Sequence, residues 1–361
     1  MSRAQAKPEP ARRSRPPSGG GLAIEAEQLE KRFGDNRALA GVDLAVAPAT
    51  VYGLLGPNGA GKTTTVRVLA TLLAPDGGRA RVAGHDVVAE PGLVRRAIAL
   101  AGQAATVDED LTGRENLVFL ARLSGLGRTA AKARAARLLA AFELEDAAAR
   151  QVKAYSGGMR RRLDLAASLI ARAEVYFLDE PTTGLDPASR AQVHQVIRAL
   201  AADGATVLLT TQYLDEADQL AARIAVIDHG TVIAEGTPGQ LKAATGGGTL
   251  RIRLADPAQR PLARQTLTGL LSAPVHEGAD PVLLTAAVPA ARSGRPPSEQ
   301  AAAAVTGLGR QGVSVGEFAL GQPSLDEVFL ALTGQYAAGS TQAATGSQAA
   351  AGSPATTQGS S

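Results

Sequence analysis

Cysteine and tryptophan are absent from this 361-residue chain, and aromatic residues make up only 3% of it. Without cysteine there are no disulfides, no thiolate metal sites and no sulfur nucleophile. With six Phe and five Tyr, the core has to be built from Ala, Leu and Val. Histidine is scarce too. His85, His194, His229 and His276 are scattered without metal-ligand spacing, and each reads as an ordinary surface or turn residue. No apolar run approaches the roughly 18 residues needed to cross a bilayer. The basic start is not followed by the apolar stretch of a secretory signal. A cytoplasmic protein is expected.

What is there is ordinary in amount, with 45% hydrophobic and 20% charged residues, as in a globular protein of about two domains. The net charge of +3 is unevenly placed. Residues 1–21 hold Arg3, Lys7, Arg12, Arg13 and Arg15 against Glu9 alone, so the rest of the chain is slightly acidic. A basic face for nucleic acid is therefore not expected on the folded part. This Pro/Gly/Ser/Arg-rich tail cannot bury a core and is expected to be a disordered, solvated segment, with contact to anionic lipid as the alternative.

The stretch Gly56-Pro57-Asn58-Gly59-Ala60-Gly61-Lys62-Thr63-Thr64 fits the phosphate-binding pattern G-x-x-x-x-G-K-[ST]. The apolar run Thr50–Leu55 before it predicts a buried strand. Behind it, Val66, Leu69, Ala70 and Leu73 mark one helix face, ended by Pro75 and Gly77-Gly78. Strand, glycine loop and helix start together make a polyphosphate cradle, because backbone N–H groups and the helix dipole converge on the anion. Lys62 is placed to reach the β- and γ-phosphates and Thr63 to ligate Mg²⁺. The chain is expected to bind a nucleoside triphosphate.

Two strands, Leu22–Leu29 and Leu39–Val46, precede the loop, and Phe33 between them suits either stacking on a purine or plain packing. Residues 80–102 read as strand, turn at Gly84-His85-Asp86, short helix and the strand Ile98–Ala101, leading to Gln103. Ala/Leu/Arg-rich helices, including Glu115–Leu123 and Ala130–Phe142, suggest a helical insertion over about 104–172. Val175–Leu178 is a continuous apolar strand of the parallel-sheet kind. Helix 188–202, strand Thr206–Leu209, helix 214–221, strand Ile224–Ile227 and a hairpin to Thr231–Ala234 continue the alternation. Past the linker Gly246-Gly247-Gly248, a smaller α+β unit over 249–335 is expected: strand 249–254, helix 258–271, strand 282–288, helix 297–309, strand 312–318 and helix 324–333. Residues 336–361 are low-complexity and expected to be disordered.

Leu178-Asp179-Glu180-Pro181 closes the apolar strand with two carboxylates. Asp179 suits Mg²⁺ and Glu180 suits a base acting on the attacking water. The alternative, a cap for the next helix, loses ground beside an upstream phosphate loop.

Gly56–Thr64, Gln103, Ser156-Gly157-Gly158-Met159-Arg160, Val175–Pro181, Gly184-Leu185-Asp186 and Gln212–Asp218 follow one another as in ATP-binding subunits of ABC transporters, which residues 22–240 resemble. Gln103–Glu109, Tyr155–Arg162, Gln212–Asp218 and Pro323–Leu330 together look like the daunorubicin/doxorubicin-resistance type, which extends the resemblance to about residue 335. It implies an α/β P-loop ATPase domain, 22–245, with a helical subdomain, followed by a small α+β domain. It also implies ATP and Mg²⁺ as cofactors, a homodimer, and a separately encoded ABC-2-type permease, with the subunit peripheral on the cytoplasmic face of the membrane. Gln103 would touch Mg²⁺ and the attacking water and sense the permease. Ser156, Gly157 and Gly158 would bind the γ-phosphate held by the opposite subunit, although Ser156 alone reads equally as a helix N-cap. Asp186 would lie at the dimer seam.

The implied activity is drug or antibiotic efflux. Alternatives are export of a lipid or polysaccharide, or a non-transport ABC ATPase; the chain has neither the duplicated cassettes nor the long coiled coils of the latter. Two positions depart from the pattern. Met159 stands where Gln is commoner, and Gln212 where the family usually has a histidine on the γ-phosphate. An amide donates one hydrogen bond there but cannot become cationic, so slower hydrolysis is expected.

Overall fold

The structure, a computed structural model, describes residues 21–102, 107–244, 247–278, 280–289, 295–321 and 325, 328 and 329. The chain divides into two compact units, Met1–Ala244 and Thr245–Ser361. Among the described residues no helix is long and apolar enough to cross a membrane.

The first unit begins with β1 (Ile24–Phe33), β2 (Asn36–Val46), β3 (Val51–Leu55), α1 (Lys62–Leu69), β4 (Gly77–Val82), β5 (His85–Asp86), α2 (Pro91–Ala97) and β6 (Ile98–Ala101). It continues with α3 (Gly113–Leu123), α4 (Arg128–Ala141), α5 (Gly157–Ser168), β7 (Val175–Asp179), α6 (Pro187–Ala202), β8 (Thr206–Thr211), α7 (Leu214–Leu220), β9 (Arg223–Asp228), β10 (Thr231–Gly236) and α8 (Pro238–Ala244). An antiparallel sheet runs β2-β1-β4-β5, and a six-stranded sheet runs β10-β9-β3-β8-β7-β6, parallel except for β10.

Every residue of β3, β7 and β8 is buried. Their continuous apolar character follows from a parallel sheet covered on both faces. Along β7 the side chains alternate between two cores. Tyr176 and Leu178 pack with Leu117, Leu139 and Leu163 of α3, α4 and α5. Val175 and Phe177 pack with Leu29 and Leu39 of the antiparallel sheet and with Val66 and Leu69 of α1. The sheet is thus clamped between the helical insertion and the antiparallel sheet.

Local chemistry sets the helix starts. Thr112 and Glu115 form a reciprocal capping box before α3, each accepting from the other's backbone N–H. Asp186 caps α6, and Pro187 supplies its first residue. Helix α1 is shorter than its apolar spacing predicts. It stops at Leu69, and Thr71 turns left-handed with φ 62, so Leu73 packs on the same core from beyond the helix.

The second unit contains β11 (Gly248–Leu254), α9 (Arg260–Leu271), β12 (Val275–Glu277), β13 (Leu283–Val288), α10 (Pro297–Arg310) and β14 (Val315–Gly321), in an antiparallel sheet ordered β12-β13-β11-β14. Leu250, Ile252 and Leu284 of the sheet bury against Leu267 and Leu271 of α9 and Leu308 of α10. Gly248 is not linker but the first residue of β11, where a Cβ would meet the Leu320 side chain at 2.8 Å. The three-residue β12 was not expected, being too short for an alternation signal. Of the expected helix 324–333 only Leu325, Val328 and Phe329 are described; Leu325 and Val328 are buried.

Candidate nucleotide-hydrolysis site

The phosphate loop spans the end of β3 and the start of α1. At Gly56 a Cβ would lie 2.3 Å from the Ile227 carbonyl oxygen of β9, so the loop leaves the sheet through a gap only glycine fits. Gly61 caps α1 at φ 110, and a Cβ there would lie 2.7 Å from the Ala38 carbonyl oxygen. Lys62, only 4% exposed, donates to the Gly56 and Pro57 carbonyls at 2.8 and 3.1 Å and lies 3.4 Å from Glu180 Oε1.

Strand β8 lies between β3 and β7, and it ties their ends together through Thr210. The Thr210 hydroxyl donates to Asp179 Oδ1 at 2.6 Å and accepts from the Glu180 N–H at 3.0 Å. Thr63 Oγ1 donates to the same Asp179 oxygen at 3.2 Å. Glu180 itself is left-handed, φ 49, a conformation costing a residue with a Cβ roughly 1–2 kcal/mol. That turn swings its side chain back towards Lys62. The reading of Asp179 as a mere helix cap is not what is seen, since Asp179 is buried at 4% exposure between two hydroxyls.

The Thr63 hydroxyl and the Asp179 carboxylate are hard oxygen donors side by side, the set that suits Mg²⁺. No group of three or more His, Cys, Asp or Glu able to hold a metal exists among the described residues. Mg²⁺ characteristically needs one or two protein oxygens plus substrate phosphates and water rather than a full protein cage, so the residues fit.

Ser156 accepts from the Met159 N–H at 3.2 Å as the N-cap of α5, and among the described residues nothing lies within 4 Å of a would-be Cβ at Gly157. Asp186 approaches Gly158, its Oδ2 lying 3.7 Å from the Cβ position. The Ser189 hydroxyl and backbone N–H hold the Asp186 carboxyl below the usual carboxylate range. Gln212 directly follows β8 and is half-buried. Phe33 ends β1, is 48% exposed, and has the Lys31 ammonium 5.8 Å from its ring centroid. Gln103 lies outside the described residues.

Two features escaped sequence reasoning. One is Thr210, whose only local signal is that the apolar strand turns polar at Thr210-Thr211. The other is a buried cluster: Glu216 Oε1 of α7 accepts from the Thr182 hydroxyl at 2.8 Å and lies 3.1 Å from His194 Nε2 of α6. All three are buried, and Glu216 Oε2 has no hydrogen-bond partner among the described residues. His194 is therefore a core residue, correcting the surface reading; a single histidine on an otherwise amphipathic helix carries no sign of its partner.

A glycine cradle at a helix start, a lysine inside it and paired carboxylates on a nearby strand end define a P-loop nucleoside triphosphatase. Residues 39–183 match the ABC transporter family. The chain is 56% identical over 312 residues to the daunorubicin/doxorubicin resistance ATP-binding protein DrrA of Streptomyces peucetius, covering 86% of this chain and 92% of that protein. It is 41% identical over 225 residues to the Nod factor export ATP-binding protein I of Paraburkholderia xenovorans, covering 62% of this chain and 74% of that one. A solved ATP-binding subunit of an ABC transporter superposes with a TM-score of 0.57 at 28% identity, covering 62% of this chain and 93% of that one. The chain belongs to the ABC transporter family, among its ATP-binding, ATP-hydrolysing subunits.

Proposed function

We propose that this subunit powers efflux of a drug or antibiotic of the daunorubicin class through a separate membrane permease, working as a homodimer on the cytoplasmic face of the membrane. The observation that carries the cargo class is the reach of the relationship. Identity to the Streptomyces peucetius resistance protein covers 86% of the chain, more than the Met1–Ala244 unit can supply, whereas the Nod factor export match takes in 62%. The second reading, export of a lipid or polysaccharide, rests on that shorter match to an export protein.

In the proposed cycle Lys62 and the loop Gly56–Thr64, through its backbone N–H groups other than at Pro57, hold the β- and γ-phosphates. Thr63, Asp179 and Gln103 would hold Mg²⁺, which would supply charge neutralisation on the phosphate oxygens. Glu180 accepts the proton of the attacking water, its carboxylate aimed by the left-handed turn that Thr210 braces. Ser156, Gly157 and Gly158 of one subunit complete the site of the other, with Asp186 at the seam. The free face at Gly157 is consistent with such a partner. Phe33, half-exposed at a strand end, is available to a purine ring.

The test is ATP-driven uptake of daunorubicin into inverted vesicles holding this subunit and its separate membrane permease. Uptake that requires both proteins is expected. ATP hydrolysis without uptake, while a lipid or polysaccharide cargo is moved, would overturn the drug reading in favour of the second.

Gln212 makes a further prediction. A neutral hydrogen bond contributes about 1 kcal/mol against 1.5–3 for a charge-assisted one. Gln212→His should therefore hold or modestly raise turnover and add a step to the pH–rate profile near the histidine pKa of about 6.5. Gln212→Ala should clearly lower turnover, by about fivefold for the loss of a neutral hydrogen bond. A Gln212→Ala enzyme as fast as wild type would show that Gln212 is only a loop residue.

A further inference from the structure

Ser156, Gly157 and Gly158 have a role in the proposed cycle, but the three arginines behind them do not. Arg160, Arg161 and Arg162 lie in the first turns of α5, and their side chains go three ways. Arg160 pairs with Glu109 at 2.7 Å. Arg162 donates to the Phe142 carbonyl at 2.9 Å and to Gln192 Oε1 at 2.8 Å, fastening α5 to the end of α4 and to α6. Arg161 reaches the reacting end of the sheet. Its Nη2 donates to the Glu180 carbonyl at 2.8 Å, its Nε to the Pro181 carbonyl at 3.3 Å, and its Nη1 to the Gly102 carbonyl at 3.0 Å.

These acceptors are not arbitrary. Glu180 is the left-handed residue whose turn aims its carboxylate, and Gly102 is the last described residue before Gln103. Among the described residues Arg161 makes no ion pair within 4.0 Å; its donors go to three peptide oxygens instead. A planar guanidinium with donors in a fixed fork is suited to holding separate carbonyls in one geometry, which the single rotating ammonium of lysine is not. Thr210 braces the Glu180 peptide from the N–H side, and Arg161 braces it from the carbonyl side.

We propose that Arg161 is a positioning residue for hydrolysis: from α5 it locks the Glu180 peptide and the chain entering Gln103, so that the helix carrying Ser156–Gly158 and the catalytic carboxylate move as one body. Arrival of a nucleotide at that helix start then registers directly in the aim of Glu180. This rests on the proposed role of Glu180 as base.

The test compares purified full-length wild type, Arg161→Met, Arg161→Lys, Arg162→Met and Glu180→Gln for kcat, KM, equilibrium binding of a fluorescent ATP analogue, and Tm. Misplacing a reacting group by about 1 Å costs about 10²-fold, so Arg161→Met should lower kcat by about 30–100-fold. Nucleotide affinity should stay within about threefold, and Arg161→Lys should recover part of the loss. Arg162→Met, which loses only contacts to helices, should lower Tm more than kcat. If Arg161→Met does not fold, Arg161→Lys carries the test through a kcat deficit at unchanged affinity. Wild-type kcat in the folded Arg161 variants, with Glu180→Gln inactive, would overturn the inference and leave the Glu180 assignment standing. Parallel loss of kcat, affinity and Tm, as for a purely structural contact, would overturn it too. Wild-type turnover by Glu180→Gln would remove the reading on which it rests.

Discussion

Glu180→Gln is expected to bind ATP as well as wild type, accumulate as an ATP-bound dimer, and turn over at least about two orders of magnitude more slowly. The amide has the shape of the carboxylate, so the left-handed turn, the Thr210 brace and the Arg161 contact, all made through the backbone, are unaffected. What is lost is the capacity to accept a proton from water. The 3.4 Å approach to Lys62 also loses its charge, which if anything favours the lysine's engagement with phosphate. Steady-state hydrolysis and size-exclusion chromatography with and without ATP would measure both effects. A variant that hydrolyses at the wild-type rate would remove Glu180 from the chemistry.

Lys62→Met is expected to fail one step earlier, at binding. The ammonium is nearly buried, sits over two loop carbonyls and lies 3.4 Å from Glu180 Oε1. Charge-assisted hydrogen bonds contribute about 1.5–3 kcal/mol each, so losing contacts to two phosphates should weaken ATP binding by about 10²–10⁴-fold. The methionine matches the lysine stem in length and apolar character, which limits the cost to the fold. Equilibrium binding of a fluorescent ATP analogue is the measurement. Affinity within about threefold of wild type would show that the loop backbone alone holds the phosphates.

The difference between these two variants also marks what could be read from the sequence. The phosphate loop and the Asp179–Glu180 pair were legible because each is a local pattern: glycines where a Cβ would strike Ile227 or Ala38, and acids where an apolar strand ends. The parallel sheet was legible through strands buried on both faces, such as Val175–Asp179. The bonds that aim the site were not. Thr210 reaches Asp179 across 31 residues of sequence, and Arg161 reaches Gly102 across 59. An arginine in a run of three looks like a solvated face, and nothing in the run says which member turns inward. His194 was misread for the same reason, its partners Thr182 and Glu216 lying on other segments. The short β12 and the early end of α1 depend on neighbours that a sequence window does not contain.

The buried Thr182–Glu216–His194 cluster limits how this domain can be recombined with its relatives. Its members come from the turn after β7, from α6 and from α7, so a segment swap between family members will often carry one or two of them and leave the third. A chimera that brings apolar residues to both 182 and 194 strands Glu216 Oε1, whose neighbour Oε2 already lacks a hydrogen-bond partner among the described residues. An unsatisfied buried polar group costs roughly 1–3 kcal/mol, a considerable part of a domain's net stability of about 5–15 kcal/mol. Residues 182–216 therefore form one exchangeable cassette, and crossover points for shuffled libraries belong before Thr182 or after Glu216 rather than in the loops between.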